Sequence, residues 1–203
     1  NKVLEDVRQR FYLPQLPQRS ECFDISNMQG AQSVGSMAVL LHGEAAPKEY
    51  RRYKIKSVEG ADDYASLTEV LTRRLTRGLA DDELPQMILI DGGKGQLSSV
   101  MDTLTELGIE DIAVVAISKG PDRNAGREQF HMPGKESFTL PLNDAKLYYL
   151  QRLRDEAHRF AIGSHRTRRK KAISKSLLDD IVGIGAKRKK ALLHHFGSAK
   201  AVS

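Results

Sequence analysis

The chain has 203 residues, of which 40% are hydrophobic, and its formal net charge is +6. This length is enough to bury one substantial core plus a small appended module. No apolar stretch approaches the roughly 20 residues of a membrane span, no signal-peptide pattern opens the chain, and a single cysteine, Cys22, excludes an internal disulfide and a cysteine-cluster zinc site. We therefore expect no membrane association and a reducing, cytoplasmic setting, and Asn1 in place of methionine suggests a fragment or a processed piece.

The first third of the chain predicts a lead-in followed by three strands. Residues 1–20 contain a possible short helix around Val7 and then LPQLPQ, whose prolines break regular structure. The segments ECFDIS at 21–26, SVGSMAVLLHG at 33–43 and KEYRRYKIKS at 48–57 have the composition and alternation of strands. Because their connections are short, they predict an antiparallel meander.

The middle of the chain alternates helices with strands. ADDYASLTEVLTRRLTRG has helical spacing with Gly78 as a stop, MILID at 87–91 is a short buried strand, and a second helix ends at Gly108. A buried strand at 112–118, a small hairpin around HMPGKESFTL and a long helix, DAKLYYLQRLRDEAHRFAIGSH, follow. Three meander strands followed by alternating helices and strands is the order of the RNase H-like fold, an α/β class with a mixed sheet flanked by helices.

Two carboxylates stand out because each belongs to a predicted strand. Asp24 lies inside ECFDIS, where a charge is costly unless a cation or hydrogen bonds stabilise it. Asp91 closes MILID and precedes Gly-Gly-Lys-Gly, so it lies at the carboxyl end of a buried strand, where ligands bind in open α/β sheets. An ordinary polar-face position for Asp24 and a helix-capping role for Asp91 are the alternatives.

A histidine on the long helix is the third candidate. His158 shares a stripe with Leu147 and Arg154 that borders the core face, so we expect it to point inward. A buried structural histidine is the alternative interpretation, and His165 is a competing ligand candidate.

This trio suits the hydrolysis of a phosphodiester. Carboxylate oxygens bind Mg²⁺ or Mn²⁺, and such a metal activates water and stabilises the charge that develops in an in-line displacement. A neutral imidazole can be a further ligand or can move a proton. Three cations near the predicted site could position phosphates: Lys94, Lys119 and Arg154.

The C-terminal tail has the composition of a DNA-binding module. Residues 166–203 hold eleven Lys or Arg against two acids, a net +9, whereas residues 1–165 hold 21 basic and 24 acidic residues, a net −3. LLDDIVGIGAKRKKALLHHFG reads as a helix, a glycine turn and a second helix, which offers backbone N–H groups to a phosphate. The predicted contacts here are Arg166, Arg168, Arg169, Gly183, Gly185, Lys187 and Arg188.

Taken together, these motifs resemble a known family. ECFDIS…QG, EYRRYKIK, DDYASL, ILIDGGKGQL, RDEAHRFAIGSHR and DIVGIGAKRKKALLHHFG resemble the C-terminal half of the UvrC family, the incision subunits of the bacterial nucleotide excision repair nuclease. The resemblance implies an RNase H-like endonuclease domain over 21–165, after a lead-in over 1–20. It also implies a basic linker over 166–175 and a small all-α helix-hairpin-helix module over 176–203 whose second hairpin is missing.

The resemblance also implies a function. The family's Asp-Asp-His active site falls on Asp24, Asp91 and His158, with Mg²⁺ or Mn²⁺ as cofactor. The expected reaction is the 5′ incision on the damaged strand of double-stranded DNA, which leaves a 5′-phosphate and a 3′-hydroxyl. The expected partner is the UvrB–DNA complex, with UvrA upstream. Asn27 stands where the family commonly has histidine.

Two other functions remain open from the sequence. A non-catalytic DNA-binding module would bind DNA with strong salt dependence and show no metal-dependent turnover. A repair nuclease resembling endonuclease V would cut without partner proteins.

Overall fold

The computed structural model describes residues 1–27, 32–60, 62–120 and 127–179, with side chains up to residue 163. The chain divides into two units, Asn1–Ala161 and Ile162–Ser203. The first unit contains the sheet and the candidate site, and its architecture follows.

A seven-stranded mixed sheet forms the centre of the first unit. Its path is β3-β2-β1-β5-β6-β7, and β4 pairs with β2 on the edge that β3 also uses. The pairs β1–β5 and β5–β6 are parallel, whereas β1–β2, β2–β4 and β6–β7 are antiparallel. The strands are β1 (Arg19–Ser26), β2 (Val34–Leu41), β3 (Glu44–Ala45), β4 (Arg51–Lys54), β5 (Met87–Asp91), β6 (Ala113–Ser118) and β7 (Gln129–His131).

Helices cover both faces of this sheet. α2 (Asp63–Asp81) and α3 (Lys94–Glu106) pack on one face, in a core that includes Phe23, Val39 and Ile90. α1 (Lys2–Arg10) and the first part of α4 (Ala145–Asp179) pack on the other, in a core that includes Cys22 and Leu89. The predicted mixed sheet flanked by helices is confirmed. None of the helices in the described part of the chain is long and apolar enough to cross a membrane.

The N-terminal segment is more than a lead-in. Leu4, Val7 and Phe11 are buried against the sheet, and the ring of Phe11 meets that of Phe130 edge-on at 5.7 Å. The sequence suggested a lead-in because α1 is short and two prolines follow it. Its apolar residues nevertheless complete the core beside α4, so residues 1–20 belong to the domain.

Several predicted boundaries also shift. Gly78 does not end α2, which continues to Asp81, and the left-handed residue after it is Asp82 at φ 54°. Gly78 is needed inside the helix because a Cβ there would lie 2.7 Å from the side chain of Leu84. The strand predicted over 48–57 is a 3-10 turn (Pro47–Glu49) followed by the shorter β4.

The C-terminal predictions lie largely beyond the described residues. α4 extends through residues 166–175, which the sequence suggested as a linker, and ends at Asp179. The glycine turn of the predicted helix-hairpin-helix falls in residues 180–203, outside the described part.

Candidate active site

Asp24 and Asp91 lie side by side because β1 and β5 are parallel neighbours. Phe23 is in register with Ile90, so the next residue of each strand is one of the two carboxylates. Both lie on the α4 face of the sheet, and their side chains are 20% and 34% exposed. The prediction that each acid belongs to a strand is confirmed, and the two strands are neighbours. Asp91 is not a helix cap, because the N-cap of α3 is Gly93.

His158 joins the carboxylates from α4. Its Nδ1 lies 3.1 Å from Asp24 Oδ2 and 3.8 Å from Asp91 Oδ2. The prediction that this side chain points inward is wrong, since it is 57% exposed. The buried stripe of α4 passes through Leu150, Leu153 and Ala157, and His158 lies beside that stripe at the open end of the site. The side chain of His165 is outside the described part of the chain.

The electrostatics of the pair make a cation favourable. The pKa of Asp24 is raised, first because burial disfavours its charged form; the charges of Asp91 and Asp63 add to this, and His158 opposes it. Burial, with a smaller contribution from both carboxylates, also raises the pKa of the Cys22 thiol well above its ordinary value. Cys22 is therefore an inert part of the core, and the site presents two repelling carboxylates with an imidazole at their side.

This donor set fits a hard divalent cation, which prefers carboxylate oxygens and tolerates an imidazole. In the structure, His158 Nδ1 lies within hydrogen-bonding distance of Asp24 Oδ2 and farther from Asp91 Oδ2. No group of three His, Cys, Asp or Glu side chains within the described ranges already stands in a metal-binding arrangement.

The turn after β5 leads the chain directly from Asp91 into α3. Gly92 N–H donates to the carbonyl of Ile117, and Gly93 N–H donates to the Gln96 side chain, so the chain turns sharply into α3. A Cβ on Gly92 would lie 2.7 Å from Gln96. Gly92 thus leaves room for the Gln96 side chain, whose oxygen accepts from the Gly93 N–H.

The predicted DNA contacts divide into three groups. Lys94 and Lys119 are exposed and follow the carboxyl ends of β5 and β6, on the same edge as Asp91. Arg154 is only 18% exposed, and it pairs with Glu128 and with Asp155, each at 3.3 Å. The remaining contacts lie beyond the residues whose side chains are described: Arg166, Arg168, Arg169, Gly183, Gly185, Lys187 and Arg188.

The sequence did not predict two hydrogen-bonded contacts near the site. Glu128 is buried, and it accepts from both Gln151 and Arg154, so it ties α4 to β7. Asn27 donates to Asp63 at 2.8 Å and so joins the end of β1 to the start of α2. No sequence pattern marks either contact. Glu128 follows a polar stretch, and Asn27 and Asp63 are 36 positions apart.

Comparisons with known proteins identify the family of the chain. The family model described as the UvrC RNAse H endonuclease domain matches residues 8–162. The UvrABC system protein C of Rhodospirillum rubrum is 51% identical over 209 residues, which cover 99% of this chain and 33% of that protein. The protein of the same name from Maricaulis maris is 52% identical over 210 residues, with 99% and 33% covered. The chain thus spans about a third of the length of these curated relatives.

Among solved structures, the chain is similar to several endonuclease V enzymes. The Streptomyces avermitilis enzyme has a TM-score of 0.42 and 11% identity, with 84% of this chain and 92% of that chain covered. The Ciona intestinalis enzyme, in complex with an inosine-containing DNA, has a TM-score of 0.41 and 15% identity, with 59% and 56% covered. The family match and the sequence identities show that the chain belongs to the UvrC family and contains its RNase H endonuclease domain.

Proposed function

We propose that this chain is the divalent-metal-dependent endonuclease module that makes the 5′ incision on the damaged strand in bacterial nucleotide excision repair. The observation that carries the proposal is the convergence of Asp24, Asp91 and His158, with the imidazole within 3.1 Å and 3.8 Å of the two carboxylates. Three elements distant in sequence bring these groups to one exposed edge of the sheet. A purely structural role would not require two carboxylates on neighbouring strands to converge on one imidazole.

The two carboxylates are the proposed ligands for Mg²⁺ or Mn²⁺, and His158 is the neutral third donor within reach. When bound, such a metal activates a water molecule and stabilises the charge of an in-line displacement at phosphorus. The half-exposed His158 could also carry a proton between the site and solvent.

The proposed substrate is damaged double-stranded DNA, presented by the UvrB–DNA complex after UvrA has acted, in the bacterial cytoplasm. The name of the curated relatives, UvrABC system protein C, supports this setting. Lys94 and Lys119 are exposed on the edge that carries Asp91, where they can neutralise backbone phosphates. The proposed products are a 5′-phosphate and a 3′-hydroxyl.

The test is nicking of a lesion-containing plasmid with Mn²⁺ or Mg²⁺. Asp24→Asn and Asp91→Asn should each abolish nicking and leave the thermal unfolding of the chain intact, because each keeps the size of the side chain and removes its charge. Asp81→Asn is the matched control, since Asp81 pairs with Arg77 on the solvent side of α2. Full activity of either site variant would remove that residue from the mechanism.

The same assay separates the other functions. If the wild-type chain does not nick alone, the assay is repeated with UvrA and UvrB; absence of metal-dependent cutting there would support a DNA-binding module. Cutting of an inosine-containing duplex without any partner would instead support an activity like that of endonuclease V.

A further inference from the structure

Arg52 lies on the same face of the sheet as the catalytic carboxylates. Asp24 is directly opposite Ser36 on β2, and Ser36 is directly opposite Arg52 on β4. Directly opposed residues of antiparallel strands project to the same face. Two strand spacings separate the Cα atoms of Asp24 and Arg52, roughly 10 Å. The residue between them is a fully buried serine, Ser36.

The guanidinium of Arg52 is held in place by α4, the helix that carries His158. Its Cζ lies 3.8 Å from the ring centroid of Phe160, and its Nη2 donates to the Phe160 carbonyl at 3.3 Å. Tyr50 supports the same ring edge-on, with centroids 5.2 Å apart. Phe160 is two residues from His158, so Arg52 is fixed relative to the site. A guanidinium ordered in this way loses less entropy on binding a phosphate than a freely moving side chain.

Arg52 retains the capacity to bind an anion. A guanidinium has five N–H donors, and in the described part of the chain Arg52 makes one hydrogen bond, that to Phe160. It is exposed, and so is Lys54, the next residue of β4 on the same face. The hydroxyl of Ser36 is buried between Asp24 and Arg52 without a hydrogen-bond partner among the described residues.

Arg51 is an internal control for the role of Arg52. It is exposed on the same strand, but it projects to the opposite face and donates to the carbonyls of Lys48 and Tyr50. Arg51 and Arg52 therefore contribute the same net charge to the chain and differ in the face from which they act.

We propose that Arg52, with Lys54 beside it, binds the DNA backbone phosphates adjacent to the scissile phosphodiester and so sets the register of the strand across Asp24 and Asp91. This inference rests on the proposed function, because it takes the scissile phosphate to lie at the carboxylates. Guanidinium–phosphate pairs are frequently bidentate, so Arg52 would fix the orientation of the backbone as well as attract it. Arg51 has no such role.

The test is the salt dependence of DNA binding by the 203-residue chain in EDTA, followed by anisotropy of a labelled duplex. Each phosphate contact contributes about 0.9 to the slope of log affinity against log salt for B-DNA. Raising the salt from about 50 to about 200 mM should therefore weaken DNA binding by Arg52→Gln about threefold less than it weakens binding by the wild type. Arg51→Gln should keep the wild-type slope. Arg52→Lys should keep the slope too, because it retains the charge, whereas a merely structural contact with Phe160 would be lost in both Arg52 variants.

The outcomes distinguish this inference from the proposed function. Equal slopes for Arg51→Gln and Arg52→Gln, or no measurable binding by wild type, would overturn the role of Arg52. If those slopes are equal while the wild-type chain still nicks DNA with metal, only the inference fails. If Arg52→Gln alone reduces the slope and no metal-dependent cutting is found, the phosphate contact stands and the nuclease assignment fails.

Discussion

A buried ion-pair network joins β1 to α2. Glu21 is fully buried three residues before Asp24, and it accepts from Arg74 through both oxygens, at 3.0 Å and 2.7 Å. Arg74 also donates to the Glu83 carbonyl at 2.7 Å, and Arg19 donates to Glu21 at 2.6 Å. Each charge in the network is therefore paired and hydrogen-bonded.

Arg74→Met would remove one cation and leave Glu21 with Arg19 alone. Breaking a buried ion pair from one side costs about 3–5 kcal/mol, and we expect a loss near the lower end because Arg19 remains. Since 1 kcal/mol shifts the Tm of a chain of this size by about 2–4 °C, the expected decrease is roughly 6–12 °C. Met and Arg have similar helix propensities, so α2 itself is not weakened.

The assay is thermal and urea unfolding, with Arg77→Met as the matched control. Arg77 lies one helical turn after Arg74, and its ion pair with Asp81 is 81% exposed on the Arg side. Such surface pairs contribute about 0–1 kcal/mol. The double variant Glu21→Met/Arg74→Met should recover part of the stability, because it leaves no buried carboxylate in this network. Equal losses for Arg74→Met and Arg77→Met would refute this reasoning.

Three further predictions concern the backbone, a phenol and the tail. Gly120→Ala should destabilise the chain by about 1–3 kcal/mol in urea unfolding, because a Cβ there would lie 2.3 Å from the Arg127 carbonyl oxygen, whereas Gly93→Ala meets no atom within 4 Å and should be tolerated. Burial raises the pKa of Tyr50 from 10.0 to about 12, so this phenol stays protonated to a higher pH in the folded state than in the unfolded state. The free energy of unfolding should therefore fall as the pH rises from about 10 to about 12. Tyr50→Phe should lessen this fall when urea unfolding is measured at both pH values. Deletion of 166–203 should weaken DNA binding and flatten its salt slope in anisotropy titrations, because it removes a net charge of +9; an unchanged slope would show that the tail charge is not a DNA contact.

Much of the fold was predictable because periodicity reports local geometry. The apolar run before Asp91 predicted a buried strand that ends at the carboxylate, and β5 has four buried residues followed by the exposed Asp91. The strand predicted over 33–43 is β2 over Val34–Leu41, and Gly43 adopts a φ of 87° in the turn between β2 and β3. The same reasoning failed for Gly78, because whether a glycine ends a helix depends on what packs against it.

The sequence pattern singled out three candidate site residues and the resemblance to a family favoured them as a set, but only the tertiary structure decided how they meet. Asp24, Asp91 and His158 are far apart in the chain, and their contacts require that β1 pair with β5 and that α4 cross the same face. Helical spacing alone placed His158 beside the core, and the open end of the site leaves it exposed. Likewise, Arg52 and Phe160 are 108 positions apart. The sequence by itself determined which residues lie on which strand or helix face, since those patterns depend on near neighbours. Which faces meet, and hence which charges become a site, depended on packing between distant segments.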